Sequence, residues 1–254
     1  MTGRPHALLA RLLARPYSGI TAAAPRHRLL LPASARVSLV VKLCDSPYRA
    51  PAFLRGAHDR FALVDGECAR SYLEVWMAPL GAYRLLGMPV TELVGGGLDA
   101  ADVDVADVFG AAGRLLAEQV RAAPTWPERF ALVDRFLLAA ADHGPGPSPE
   151  VARAWQLLVD SGGSVAIGRV AEEVGWSHQR LITRFGQQVG VTPKTAARLV
   201  RFERVLQRVR AGGAPRWERL AAEGGYADQA HLIREFRTFA GVTPTAYAQR
   251  LGVG

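Results

Sequence analysis

Residues 175–193 read GWSHQRLITRFGQQVGVTP, and residues 225–244 read GYADQAHLIREFRTFAGVTP. The chain carries one pattern twice. Aligned from the right, Phe185 matches Phe236, Gly190 matches Gly241, and Val191, Thr192 and Pro193 match Val242, Thr243 and Pro244. Aligned from the left, Gly175 and Trp176 match Gly225 and Tyr226, and the second copy holds one extra residue between its glycine and its phenylalanine. Two units fall short of a solenoid, which needs at least about three to bury a continuous core. A duplicated functional module is the better reading.

Each copy reads as two helices about a glycine turn. In the first, Val170, Ala171 and Val174 follow Ile167 at helical spacing, and Gly175 ends that helix. Ser177 is placed to cap the next helix by accepting a backbone N–H. The spacing predicts that helix to about Val189, burying Leu181, Phe185 and Val189 at i, i+4 and i+8. In the second copy Leu220 and Ala221 lie on the leading helix, Gly225 turns the chain, and Asp228 starts a helix that buries Leu232, Phe236 and Phe239. This is a helix-turn-helix, whose second helix can lie in a DNA major groove. Between the copies, Thr192 as cap and Pro193 at the first helical position start a helix that runs to about Arg210. Leu199, Phe202, Leu206 and Val209 form its apolar stripe, with Arg201, Arg204 and Arg208 on other faces. At 1.5 Å per residue it spans roughly 27 Å, which would hold the two reading helices about one DNA turn, near 34 Å, apart.

With its matched F-x4-G-V-T-P endings, the segment from about residue 161 to 254 resembles the DNA-binding domain of arabinose-regulator (AraC/XylS) type transcription factors. GYADQAHLIREFRTFAGVTPTAY is the more specific part of that likeness. Helical periodicity alone leaves His178, Gln179, Arg180, Ile182 and Thr183 facing outward. The resemblance puts the base-reading positions on Gln179, Ile182 and Thr183 and on Gln229, Ala230 and Arg234. Family members often carry a polar residue and an arginine where Ile182 and Thr183 stand. Here those positions offer a thymine-methyl contact rather than bidentate guanine reading, whereas Gln229 can pair with adenine and Arg234 with guanine. Candidates for the DNA backbone are Ser177, His178, Arg180, Arg184, Lys194, Asp228 and Arg237. His231 belongs to the packing edge, and the bland alternative for Arg234 is an ion pair with Glu235 or Asp228.

Charge sits where the repeat sits. Of a net +8, residues 161–254 hold 14 Arg/Lys against 7 Asp/Glu, and residues 1–160 hold 17 against 16. A basic excess on the repeated module suits a surface that neutralises phosphates. Overall, 49% hydrophobic and 21% charged residues describe an ordinary globular chain with room for two domains. Cys44 and Cys68 offer one bridge at most, lack the spacing of a zinc or thiol-redox site, and read as half-buried strand residues. No apolar run reaches about 18 residues, so no membrane span is expected. Arg11 and Arg15 interrupt the amino-terminal apolar stretch, which reads as a short amphipathic helix of a cytoplasmic protein.

From Pro16 the chain reads as strands and turns: RHRLLL (26–31), VSLVVKLC (37–44), APAFLRG (50–56) and RSYLEVWMAP (70–79), punctuated by Pro25, Pro32, Pro47, Gly56, Gly66 and Gly81. Such spacing suggests a small antiparallel barrel or sandwich. Composition turns helical after Leu98, with helices over 106–123 and 127–141. The stretch HGPGPSP (143–149) is the clearest linker, followed by a helix over 150–160. YLEVWMAPLGAYRLLGMPVTEL (72–93) is similar to the amino-terminal domain of one subset of the same regulators, which implies a cupin-like barrel that senses an effector in many members.

Catalytic signatures are missing. His6, His27 and His58 are not paired as HxH or HxxxH, there is no GxSxG elbow or P-loop, and the glycines 95–97 lack a strand–helix context. Trp76, Tyr72, Phe53 and Tyr48 would line either a pocket or a core, and any effector-binding residues are unassigned. The fold class expected is α+β: a β-rich cupin-like domain at 1–100, a helical connector at 101–160, and an all-α double helix-turn-helix at 161–254. The function expected is a non-enzymatic, sequence-specific DNA-binding regulator without metal or cofactor. Its partners would be double-stranded DNA and RNA polymerase, with a small-molecule effector and a homodimer left open. The alternative is a small-molecule-binding or metal-dependent cupin-like enzyme with an accessory basic domain.

Overall fold

A computed structural model describes residues 1–21, 28–45, 50–65, 71–93, 102–212 and 216–250. Pro25, His27, Pro47, Tyr48, Gly66, Cys68, Gly95, Gly96, Gly97 and Gly213 lie outside the described residues. The strands are β1 (Thr2–Gly3), β2 (Tyr17–Thr21), β3 (Arg28–Leu31), β4 (Val37–Lys42), β5 (Ala52–Arg55), β6 (Ala62–Asp65), β7 (Ser71–Met77) and β8 (Val103–Asp104). They form an antiparallel sheet in the order β1-β2-β7-β4-β5-β8 and a separate β3-β6 pair. Every residue of β4 is buried. It is central in its sheet, with Val40 opposite Phe53 on one side and Glu74 on the other, so even Ser38 and Lys42 are covered.

Helix α1 (Pro79–Leu86) follows β7 directly, then α2 (Val105–Ala122) and α3 (Trp126–His143) pack against each other and the sheet. Leu116, Val120, Val133 and Leu137 enter the same core as Leu39, Leu54, Leu73 and Val75. The buried Tyr17 hydroxyl donates to Asp134 Oδ1 at 2.6 Å, and burial together with that carboxylate raises its pKa.

Two expectations need correction. The amino terminus is not an amphipathic helix. It holds β1 and a single 3-10 turn at Ala7–Leu9, because its later backbone pairs with the sheet, Ala14 N–H donating to the Trp76 carbonyl at 2.8 Å. Helix also begins earlier than Leu98: Pro79 opens α1 and the left-handed Gly87 closes it. A short apolar run does not by itself separate strand from helix.

The remaining helices are α4 (Pro149–Asp160), α5 (Ile167–Glu173), α6 (His178–Val189), α7 (Pro193–Arg210), α8 (Trp217–Glu223), α9 (Gln229–Ala240) and α10 (Pro244–Arg250). Helix α7 belongs to two cores. Ala196 and Ala197 pack with Leu181, Phe185 and Val189 of α6, while Phe202, Leu206 and Val209 pack with Leu232, Phe236 and Phe239 of α9. Helix α4, assigned from sequence to the connector, buries Val151, Ala154 and Leu158 in the first of these cores. No helix among the described residues is long and apolar enough to cross a membrane.

Candidate nucleic-acid interface

The two units are built alike. Helix α5 ends ahead of Gly175 (φ +69°), and α8 ends ahead of Gly225 (φ +73°). Positive φ is what lets each chain reverse tightly, and glycine adopts it without a Cβ penalty. Ser177 then caps α6, its Oγ accepting from Arg180 N–H at 3.3 Å. Asp228 caps α9, its Oδ1 accepting from His231 N–H at 2.6 Å.

On α6, His178, Gln179, Arg180, Ile182, Thr183 and Arg184 are all exposed, as is Ser177 before it. Ile182 is an uncovered large hydrophobic, 39% exposed. Thr183 turns its hydroxyl back to the Gln179 carbonyl at 3.1 Å, which leaves its methyl group for contact. Arg180 lays its guanidinium over Trp176, 4.8 Å from the ring centre, and Arg184 reaches Gln187 at 3.4 Å. On α9, Ala230, Arg234 and Arg237 are exposed, whereas Gln229 is half-buried and only partly free. His231 packs edge-on against Tyr226 at 5.3 Å, as its packing assignment requires. Lys194 is exposed at the start of α7.

The electrostatics are one-sided. Helix α6 contains no carboxylate at all. The single acidic residue within α9, Glu235, is buried and held by Arg198 Nε at 2.6 Å. Arg234 makes no ion pair among the described residues, so neither of its bland partners is engaged with it. Asp228 is committed to its cap and carries the wrong charge for a phosphate, which removes it from the backbone candidates.

The front of the chain packs against both α6 and α9 at their carboxyl ends, which the sequence reading missed. Ala33 N–H donates to the Phe239 carbonyl at 2.7 Å and Phe61 N–H to the Thr238 carbonyl at 3.3 Å. A Cβ on Gly241 would stand 2.8 Å from the Phe61 ring, and one on Gly190 would stand 2.7 Å from Val90. The sequence matches these two glycines across the copies; that both also admit a close neighbour needs the fold.

A cavity of about 800 Å³ lies between the strands and α7, lined by Ile20, Leu30, Tyr72 and Trp76 on one side and Leu206 and Arg210 on the other. Arg36 bridges to Glu203 of α7 at 3.3 Å across its edge, and Arg15 pairs with Glu74 at 2.8 Å. Of the four aromatic candidates, Tyr72 and Trp76 line this cavity, Phe53 is buried in the sheet and Tyr48 is not among the described residues.

Cys44 is half-buried and free. His58 sits between the Gly56 and Pro32 carbonyls, each 3.1 Å from a ring nitrogen, and burial holds its pKa below the usual histidine value. Among the described residues no three His, Cys, Asp or Glu side chains gather as a metal site.

Residues 170–250 match the family described as helix-turn-helix domain. Among solved structures, the C-terminal domain of AraT, a response regulator from Geobacillus stearothermophilus, aligns at 24% identity over 41% of this chain and 87% of its own, with a TM-score of 0.39. ToxT from Vibrio cholerae aligns at 14% identity over 92% of this chain and 96% of its own, with a TM-score of 0.45. ToxT from V. cholerae O395 bound to (E)-4-(8-methylnaphthalen-1-yl)but-3-enoic acid gives 14% identity, 92% and 97% coverage and a TM-score of 0.45. No curated relative matches the sequence.

Proposed function

We propose that the AraC-type helix-turn-helix domain at residues 170–250 makes this chain a sequence-specific DNA-binding regulator of transcription, acting by binding rather than turnover. The observation that carries this is the pair of capped helices, α6 and α9, whose exposed side chains include cations and no carboxylate. Phosphate neutralisation needs that one-sided charge. In this reading the two helices enter successive major grooves from the ends of α7, whose 18 residues span roughly 27 Å. Gln179, Ile182 and Thr183 read one element, with Ile182 and the Thr183 methyl against thymine methyls. Gln229, Ala230 and Arg234 read the other, Arg234 forking onto guanine. Ser177, His178, Arg180, Arg184, Lys194 and Arg237 hold the phosphates.

Binding by the full-length chain should weaken steeply with salt, log K falling linearly with log salt. Removing Arg180, Arg184 or Arg237 one at a time should reduce that slope by about one each. A slope unchanged after all three are removed would show that the cationic faces do not meet DNA.

We further infer that the cupin-like front part, residues 1–100, controls reading. What supports this is its backbone grip on α9 at Thr238 and Phe239, beside a cavity it shares with α7. Trp76 lines this cavity, and its Nε1 is buried with no hydrogen-bond partner among the described residues. If the grip must loosen for α9 to seat in a groove, the Ala33 amide should exchange faster with solvent deuterium in the DNA complex than in the free chain. Equal exchange in both states rules out control by this route.

A further inference from the structure

We propose that the ion pair between Arg198 of α7 and the buried Glu235 of α9 is a specificity-determining positioning pair, which sets the angle between the two reading helices and hence the spacing between the two DNA elements the chain accepts. The proposal rests on the two-helix reading above.

Glu235 is an odd residue for its place. In the first copy the matching position is Arg184, which is exposed, yet the Glu235 side chain is 4% exposed inside the second unit. It points away from the reading face and toward α7, where Arg198 Nε donates to its Oε1 at 2.6 Å. The same guanidinium lies 4.8 Å from the centre of the Phe239 ring. One turn along α7, Arg201 donates to the Gly163 carbonyl at 2.8 Å and sits 5.8 Å from the Tyr226 ring. Gly163 belongs to the turn leading into the first unit, and Tyr226 to the turn of the second. That first turn lies hard against α7: a Cβ on Gly163 would be 2.1 Å from the Ala197 carbonyl oxygen. One face of α7 therefore holds the first unit's approach, the second unit's turn and the second reading helix.

Apolar packing could hold these helices together without help. Phe202 already does so, its ring centre 5.2 Å from that of Phe236 and 5.1 Å from that of Phe239. Such packing is non-directional, and rings can slide. A charge-assisted hydrogen bond between a planar guanidinium and a carboxylate accepts a narrow range of angles. A pair whose carboxylate is buried contributes little net stability over an apolar replacement, because desolvation offsets the attraction, but it can select one arrangement over its neighbours. DNA makes that selection visible. At about 10–10.5 base pairs and 34–36 Å per turn, each added base pair shifts the second element by about 3.4 Å and rotates it by about 34–36°.

The test uses the full-length chain and the two sequence elements it enriches from a randomised duplex library, moved apart in single-base-pair steps. Wild type should prefer one spacing, losing about tenfold in affinity per one-step change, the scale of a mismatched site. The double variant Arg198→Met with Glu235→Leu replaces the pair with apolar groups and should melt as high as wild type or higher. Its affinities at adjacent spacings should lie within about threefold of each other, a flattened profile. A double variant that keeps the tenfold discrimination overturns the proposal. Should it fail to melt cooperatively, Glu235→Leu alone decides by the same profile, since Arg198 is 35% exposed and can turn to solvent. A flat profile in wild type itself sinks the two-helix reading along with the pair, whereas sharp profiles in both proteins sink the pair alone.

Discussion

Phe236→Ala should cost about 3–5 kcal/mol of stability and abolish binding to every DNA sequence alike. The ring is fully buried, edge-on to Phe202 at 5.2 Å and to Tyr247 at 5.5 Å. Its removal leaves a cavity where α7, α9 and α10 meet, and the second unit is too small to collapse around it. The neighbours that would have to move are themselves wedged. Phe202 also contacts Phe239, and α9 is tied at its carboxyl end to Ala33. Thermal melting should fall by about 10 °C or more, with a matching loss of cooperativity in the helical part. A variant that melts within a degree or two of wild type would show that this core is not what holds α9 in place.

Arg234→Ala should do the opposite: leave melting unchanged and alter what is read. Arg234 lies two residues before Phe236 on the exposed face of α9 and makes no ion pair among the described residues, so its loss uncovers nothing buried. Binding to the preferred site should weaken by about 1–3 kcal/mol, or about 5- to 150-fold, with relaxed preference at one base pair. Lysine there keeps the charge but lacks the planar fork that matches guanine, so Arg234→Lys should recover phosphate attraction and not discrimination. The measurement is affinity across a panel of single-base operator variants beside a melting curve. Uniform weakening across the panel would reduce Arg234 to a phosphate clamp. A melting temperature lowered as far as in Phe236→Ala would mean that the side chain supports the fold instead.

The difference between these two neighbours marks what the sequence could say. Periodicity placed Leu181, Phe185, Val189, Leu232, Phe236 and Phe239 inside and His178, Gln179, Arg180, Ile182 and Thr183 outside, and the structure agrees. These are local matters. A 3.6-residue repeat, a cap at Ser177 or Asp228, and a glycine turn are written within a few residues of where they act. The strands of the front part were legible only in part: β1 and β8, of two residues each, are too short to show a period, and α1 opens where a strand was expected to end.

What the tertiary structure alone decided is where distant pieces meet. Gln229, which the resemblance places among the base readers, is half-buried. Glu235 is adjacent to Arg234 in sequence and would pass for its partner, yet it binds Arg198, 37 residues away. Gly190 and Gly241 mark helix ends in both copies, but their contacts with Val90 and Phe61 join them to the front of the chain. The duplicated module was determined by the sequence because its signals are short-range and repeated. The contacts of the front part with α6 and α9, and the ion pair between α7 and α9, join residues far apart in the chain, and no local pattern encodes such a pairing.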